Sequence, residues 1–174
     1  MFEVTIYLEV SFHGPAYRTA AGMWLIEYIK KDGSLETRQG MVCGKKMTEN
    51  GLALEALTIA FERLRKSCSV RVITRCDHVL NVTGNGWLPQ WEKNGWLTAK
   101  GKFVKNITFW QKVAEAHRKH LVSYENTWNS YGENMQDTML KGLILLGKTD
   151  ATKVIYELDK NMNFKEVKRD LFGV

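Results

Sequence analysis

One helical period set among strands constrains this chain more than any other feature. Leu54, Leu57, Phe61 and Leu64 recur at i, i+3, i+7 and i+10, which is one apolar face of a helix. The helix opens at Thr48-Glu49-Asn50-Gly51 and ends near Ser67. Strand-like segments stand on both sides of it. Val4 to Ser11 and Ala21 to Lys30 alternate with period two, and the turn Lys31-Asp32-Gly33-Ser34 leads into a third strand, Leu35 to Val42. Ser69 to Thr74 is the next strand. A helical crossover joins it to the first three, so it is expected to be central and parallel to the first.

Downstream, Cys76 to Val82 starts another helix, which Gly84, Gly86 and Pro89 interrupt. A long helix covers Ile107 to Lys119 with Trp110, Val113 and Ala114 inward. Leu121 to Tyr124 is a short last strand, and the polar loop Glu125 to Tyr131 leads to a helix from Gly132 to about Leu146. Beyond it, Lys153 to Leu158 is strand-like and a short helix is expected near Phe164 to Leu171. The order β-β-β-α-β-α-α-β-α predicts an α/β fold with a mixed sheet. With 174 residues the chain fits one domain over residues 1–147 and a C-terminal extension over residues 148–174.

Composition excludes two classes. At 44% hydrophobic with only two prolines the chain is not a disordered one. Its longest apolar run, Leu143 to Leu146, falls far below the ~18 residues of a membrane span, so no membrane partner is expected. The alternating Phe2 to Glu9 reads as strand, not as a signal peptide. Cys43, Cys68 and Cys76 form an odd set without CxxC spacing, which fits a reducing cytoplasm and a cytoplasmic location.

Charge is unevenly placed. Between Gln90 and His120 lie Lys93, Lys100, Lys102, Lys105, Lys112, Arg118 and Lys119 against Glu92 and Glu115, which is +5 of a total of +6. Trp91, Trp96 and Trp110 fall in the same stretch, with Trp87 just before it. Cations interleaved with aromatics suit a polyanion with sugars or bases to stack on; equally, they suit a solvated helix face over buried tryptophans. His117 and His120, at the end of the basic helix, are expected to face solvent near the negative end of its dipole. Cys68 is expected in the core.

Several of these residues resemble a known family. Gly86-Trp87, Trp91-Glu92-Lys93-Asn94-Gly95-Trp96, Gly101-Lys102-Phe103-Val104-Lys105-Asn106 and Trp110 are similar, in order and spacing, to the basic handle of ribonuclease HI. Ile6 to Ser11 with Gly14 resembles that family's first strand, and Thr48-Glu49-Asn50 its helix start. Ala56, Leu57, Ala60, Phe61 and Leu64 resemble its first helix face, and Gly132 to Asp137 its last helix. The resemblance covers residues 2 to 146. It implies an RNase H-like mixed five-stranded sheet, three antiparallel strands and then parallel ones, flanked by helices. It also implies cleavage of RNA in RNA/DNA hybrids by two divalent ions held about 4 Å apart on converging carboxylates.

Carried over residue by residue, the implied acids are incomplete. The first-strand aspartate falls on Glu9 and the last-helix aspartate on Asp137, leaving these two as catalytic and metal-ligand candidates. The helix glutamate falls on Ala53. The parallel-strand aspartate falls on Cys76, or on Asp77 with a gap of one residue, which would turn that side chain to the opposite face. The loop histidine has no equivalent; Thr127 is nearest by count. A thiol is a poor Mg²⁺ ligand. The expectation is therefore a catalytically inactive, nucleic-acid-binding member with no cofactor. If active, it would use Mg²⁺ or Mn²⁺ on Glu9, Asp137 and Asp77. Lys93, Trp96, Lys100, Lys102, Lys105 and Asn50 are the binding candidates for an RNA/DNA hybrid or duplex. A protein-interaction module is the remaining alternative, with the C-terminal tail as a candidate site for a protein partner.

Overall fold

The computed structural model describes residues 1–168. β1 (Phe2–Val10), β2 (Arg18–Ile29) and β3 (Leu35–Met47) form an antiparallel meander, and α1 (Glu49–Glu62) crosses over to β4 (Cys68–Ile73). α2 (Asp77–Gly84), α3 (Trp87–Lys93) and α4 (Ile107–Lys119) follow; β5 (Leu121–Glu125), α5 (Gly132–Gly147), β6 (Lys153–Leu158) and β7 (Phe164–Glu166) complete the chain. The sheet runs β5-β4-β1-β2-β3-β6-β7. β4 lies parallel to β1, from Phe2↔Cys68 to Tyr7↔Ile73, as the crossover requires.

Period-two alternation along β1 divides the molecule into two layers. Ile6, Leu8 and Val10 point to the larger core, which they share with α1, α2 and α4. Tyr7 points to the smaller core with Met135 and Met139 of α5, and Glu9 shares that face. α1 is buried at every position from Leu52 to Phe61. It lies so close to the sheet that a Cβ at Gly22 of β2 would stand 2.7 Å from the Leu52 carbonyl oxygen.

The sheet has seven strands, not five. β6 pairs with the outer edge of β3 from Gln39↔Leu158 to Gly44↔Lys153, and β7 pairs with β6. Residues Gly40 to Gly44 of β3 are largely sealed from water, so their backbone groups need protein partners, and β6 supplies them. The extension is pinned elsewhere too. Lys153 Nζ lies 2.7 Å from the buried Glu55 carboxylate, and Arg63 pairs with Glu157. Where a helix was expected near Phe164 to Leu171, the described part is strand β7; residues 169–174 lie outside the described residues. α3 also forms despite Pro89, because this proline stands in the first turn, where its missing N–H has no helical partner to lose. Among the described residues, no helix is long and apolar enough to cross a membrane.

His117 and His120 are not solvent-facing. The last turn of α4 abuts β5, so His117 Nε2 meets the Tyr124 hydroxyl at 2.6 Å, and the Cys68 backbone N–H donates to Nδ1 of buried His120 at 3.0 Å. Cys68 is buried, as expected. Burial holds His78, His117 and His120 below the ordinary histidine range.

Two predictions follow from this packing. Gly22→Ala forces α1 off β2 and lowers the unfolding free energy by about 2–3 kcal/mol, read as a lower urea midpoint at unchanged m. The three histidines fold neutral, whereas the unfolded chain takes up their protons near the ordinary value of ~6.5. Their contribution to stability is therefore complete above that value and is lost as pH falls through the lowered folded values. Urea unfolding at pH ~7.5 and ~5.5 should show this decline; a flat profile would contradict neutral burial.

Candidate nucleic-acid interface and carboxylate centre

Glu9 lies in the buried run that ends β1 and opens into a cleft between the C-terminal end of the sheet and α5. The cleft holds about 960 Å³. Its walls are Arg75 after β4, the loop residues Asn126 to Asn129, and Glu133, Gln136 and Asp137 on the first turns of α5. Glu9 is buried, and one of its carboxylate oxygens, Oε1, is held by two side chains. Arg75 Nη2 donates to Glu9 Oε1 at 2.9 Å, and Gln136 Nε2 donates to the same oxygen at 3.3 Å and to the Val10 carbonyl at 3.2 Å. The Arg75 side chain is 50% exposed, so one side of the guanidinium faces the carboxylate and the other the open cleft.

Asp137 shares this cleft with Glu9 but stands on its exposed wall, and Gln136 makes the contact with Glu9. Asp77 is exposed in the first turn of α2 and does not line the cleft. Cys76 precedes it as the helix N-cap, buried, with its Sγ 3.6 Å from Asn50 Oδ1. Burial pushes the Cys76 thiol up to about 11, so it is a neutral thiol at ordinary pH. Ala53 is buried within α1 and packs in the larger core. Glu49 is turned away to the β1–β2 loop, where it accepts the Gly14 N–H at 2.9 Å and meets His13 Nδ1 at 3.0 Å.

The chemistry of these donors does not fit a pair of divalent ions. Hard cations need several oxygen ligands converging on one point. Glu9 is the single buried carboxylate of the cleft, and its oxygen is already held by a guanidinium. Among the described residues, no three His, Cys, Asp or Glu side chains are grouped so as to hold a metal ion.

The basic lobe is built on tryptophans. Trp110 is fully buried and meets Trp91 at a ring separation of 5.8 Å; Trp91 in turn meets Trp87 at 6.5 Å. Trp96 packs partly buried against the larger core, in a left-handed conformation with φ 66°. That turn is closed by its N–H donating to the Trp91 carbonyl at 2.7 Å, while its own carbonyl accepts from Val104 at 3.0 Å. From this anchor the chain loops out between Leu97 and Phe103, which form an isolated bridge. Lys93, Lys100, Lys102 and Lys105 are exposed, and among the described residues none of them pairs with an acid. Phe103, 71% exposed, stands between the last two lysines of this set.

Reading the sequence missed Arg75, Gln136, Phe103 and Trp128, which is 83% exposed in the loop before α5. The signal for Arg75 was a lone cation at the end of a parallel strand. That is where ligands gather in open α/β sheets.

A mixed sheet flanked by helices, with an acid on the central strand and a basic aromatic lobe at its side, defines the ribonuclease H-like class. The family model for RNase H matches residues 3–128, and the chain belongs to the ribonuclease H family. Ribonuclease H of Chlorobium chlorochromatii is 32% identical over 122 residues, covering 70% of this chain and 80% of that one. Ribonuclease H of Clostridium botulinum is 28% identical over 124 residues, covering 71% and 81%. Among solved structures, LC9-RNase H1, a type 1 RNase H with the type 2 active-site motif, superposes with a TM-score of 0.65 at 17% identity, over 98% of this chain and 79% of that one. The foamy viral protease-reverse transcriptase in complex with RNA/DNA hybrid gives 0.64 at 20% identity, over 83% of this chain and 20% of that one. At such identities the shared property is the fold.

The buried thiols yield a direct test. Burial raises Cys43 to about 12 and Cys76 to about 11, and raises Cys68 as well. A thiol-disulfide reagent at pH ~8 should leave all three unmodified in the native protein and titrate them once urea unfolds it. Fast native labelling of Cys76 would show that its site is open.

Proposed function

We propose that this protein holds an RNA/DNA hybrid or a nucleic-acid duplex on its basic lobe without cutting it. The observation that carries this reading is the ion pair at the carboxylate centre. Glu9, the acid that the family resemblance assigns to metal binding, is neutralised within the chain by Arg75. A carboxylate so held offers little charge to a second cation. Of the other implied acid positions, Asp137 keeps its carboxylate on the exposed wall of the cleft, whereas Ala53 carries a buried methyl group and Cys76 a neutral thiol. These features support a loss of two-metal catalysis.

The lobe supports the binding half of the proposal. Its lysines are exposed and unpaired among the described residues, so a phosphate backbone can displace their counterions without breaking protein contacts. Contacts of that kind read the backbone and not the base sequence, which suits a hybrid or duplex of any sequence. The exposed Phe103 adds an aromatic face between the cations.

A labelled RNA/DNA hybrid tests both halves at once. The expected result is salt-dependent binding with no cleavage in Mg²⁺ or Mn²⁺. Replacing Lys93, Lys102 and Lys105 by alanine should reduce the slope of log affinity against log salt by about 3. Cleavage that disappears in Asp137→Asn would make the protein a metal-dependent ribonuclease H with a modified site. Hybrid affinity no better than that of the triple variant would assign the face to a protein partner.

A further inference from the structure

Resting on the binding function proposed above, we propose that Arg75 is a built-in phosphate-binding residue, a fixed cation that makes hybrid binding independent of divalent metal. A guanidinium carries five N–H donors in a planar fork, and its contact with Glu9 uses Nη2. The remaining donors belong to a side chain that is 50% exposed and lines an open cleft of about 960 Å³. Glu9 fixes the near side of the fork, and Gln136 fixes Glu9, so the outward edge is oriented before any ligand arrives. Such an edge matches a phosphodiester oxygen pair.

The surroundings make the assignment sharp. The other charged groups of this cleft are Glu133 and Asp137, both exposed on α5. Without Arg75 a phosphate here would meet only negative charge. With it, Glu9 is neutralised and the unused edge of the guanidinium turns N–H donors toward the cleft. Asn126 on the adjoining loop is exposed and offers a neutral donor beside it. The site thus presents the directed N–H donors of a tethered guanidinium where the implied chemistry of the family uses mobile dications.

The experiment compares hybrid binding by fluorescence anisotropy in EDTA and in excess Mg²⁺. The variants are Glu9→Gln/Arg75→Ala, Arg75→Lys and, as a lobe control, Lys102→Ala/Lys105→Ala. The double variant at Glu9 removes both members of the ion pair, so no buried carboxylate is left without a partner. The wild type should bind equally in EDTA and Mg²⁺. The Glu9→Gln/Arg75→Ala protein should bind about tenfold more weakly in both, from the lost donors to phosphate. Arg75→Lys keeps Glu9 paired and loses the fork, so it should weaken binding about threefold, and it carries the test if the double variant does not fold. Wild-type affinity in both Arg75 variants would reduce Arg75 to a structural partner of Glu9, and a requirement for Mg²⁺ would overturn the fixed-cation role. If the lobe control loses affinity while these variants do not, only the role of Arg75 fails. If the wild type binds no hybrid at all, the proposed function fails with it.

Discussion

The enclosure of α1 is the constraint on which the rest of the structure depends. A helix that is buried on every side must be covered on every side, and here Leu52 to Phe61 have no solvent face. β2 comes close enough to touch its backbone at Gly22, and α2 and α4 close over the remaining flanks. One charge is trapped in this enclosure, at Glu55. Lys153 reaches it from β6, and removing one partner of such a pair is costly. The extension therefore does more than lengthen the sheet: it neutralises a carboxylate that the central helix cannot expose.

The same principle recurs at the mouth of the sheet. Glu9 is buried beside β4 and is answered by Arg75, the second residue after that strand's last position. Glu49 is answered by the β1–β2 loop. Internal partners hold two acids near the C-terminal end of β1, while the lysines of the lobe stay open to solvent. Among the described residues, the protein thus separates its electrostatics into a centre whose one cation is held by a buried acid and a flank of unpaired lysines. That division makes the flank the stronger attractor for a polyanion.

Much of this architecture was legible in the residues. The alternating runs and the single helical period gave β1 to β4 and α1 in their correct order, because their apolar residues keep strand and helix periods even where, as in α1, no face is left to solvent. The lobe was legible because its tryptophans and lysines keep a distinctive spacing. Three things were hidden. β7 reads as a helix near Phe164 since three residues carry no usable period, and its existence depends on β6 being already in place. His117 and His120 have the helical spacing of surface residues, and it is the packing of α4 against Phe61 of α1, Cys68 of β4 and Tyr124 of β5 that buries them. Arg75 and Gln136 lie far apart in sequence and meet at Glu9 through the tertiary fold alone, so no local pattern could pair them.

The added strands also change how this molecule meets copies of itself. With β3 as the outermost strand, the stretch from Gln39 to Gly44 would offer a row of unpaired amides and carbonyls, a template on which a second chain can grow. Six-residue β6 covers that row, and three-residue β7 follows it, so among the described residues the sheet tapers on this side to a short rim. Two lysines, Lys153 in β6 and Lys165 in β7, lie on those strands. A rim strand of three residues leaves little edge on which a second chain could pair.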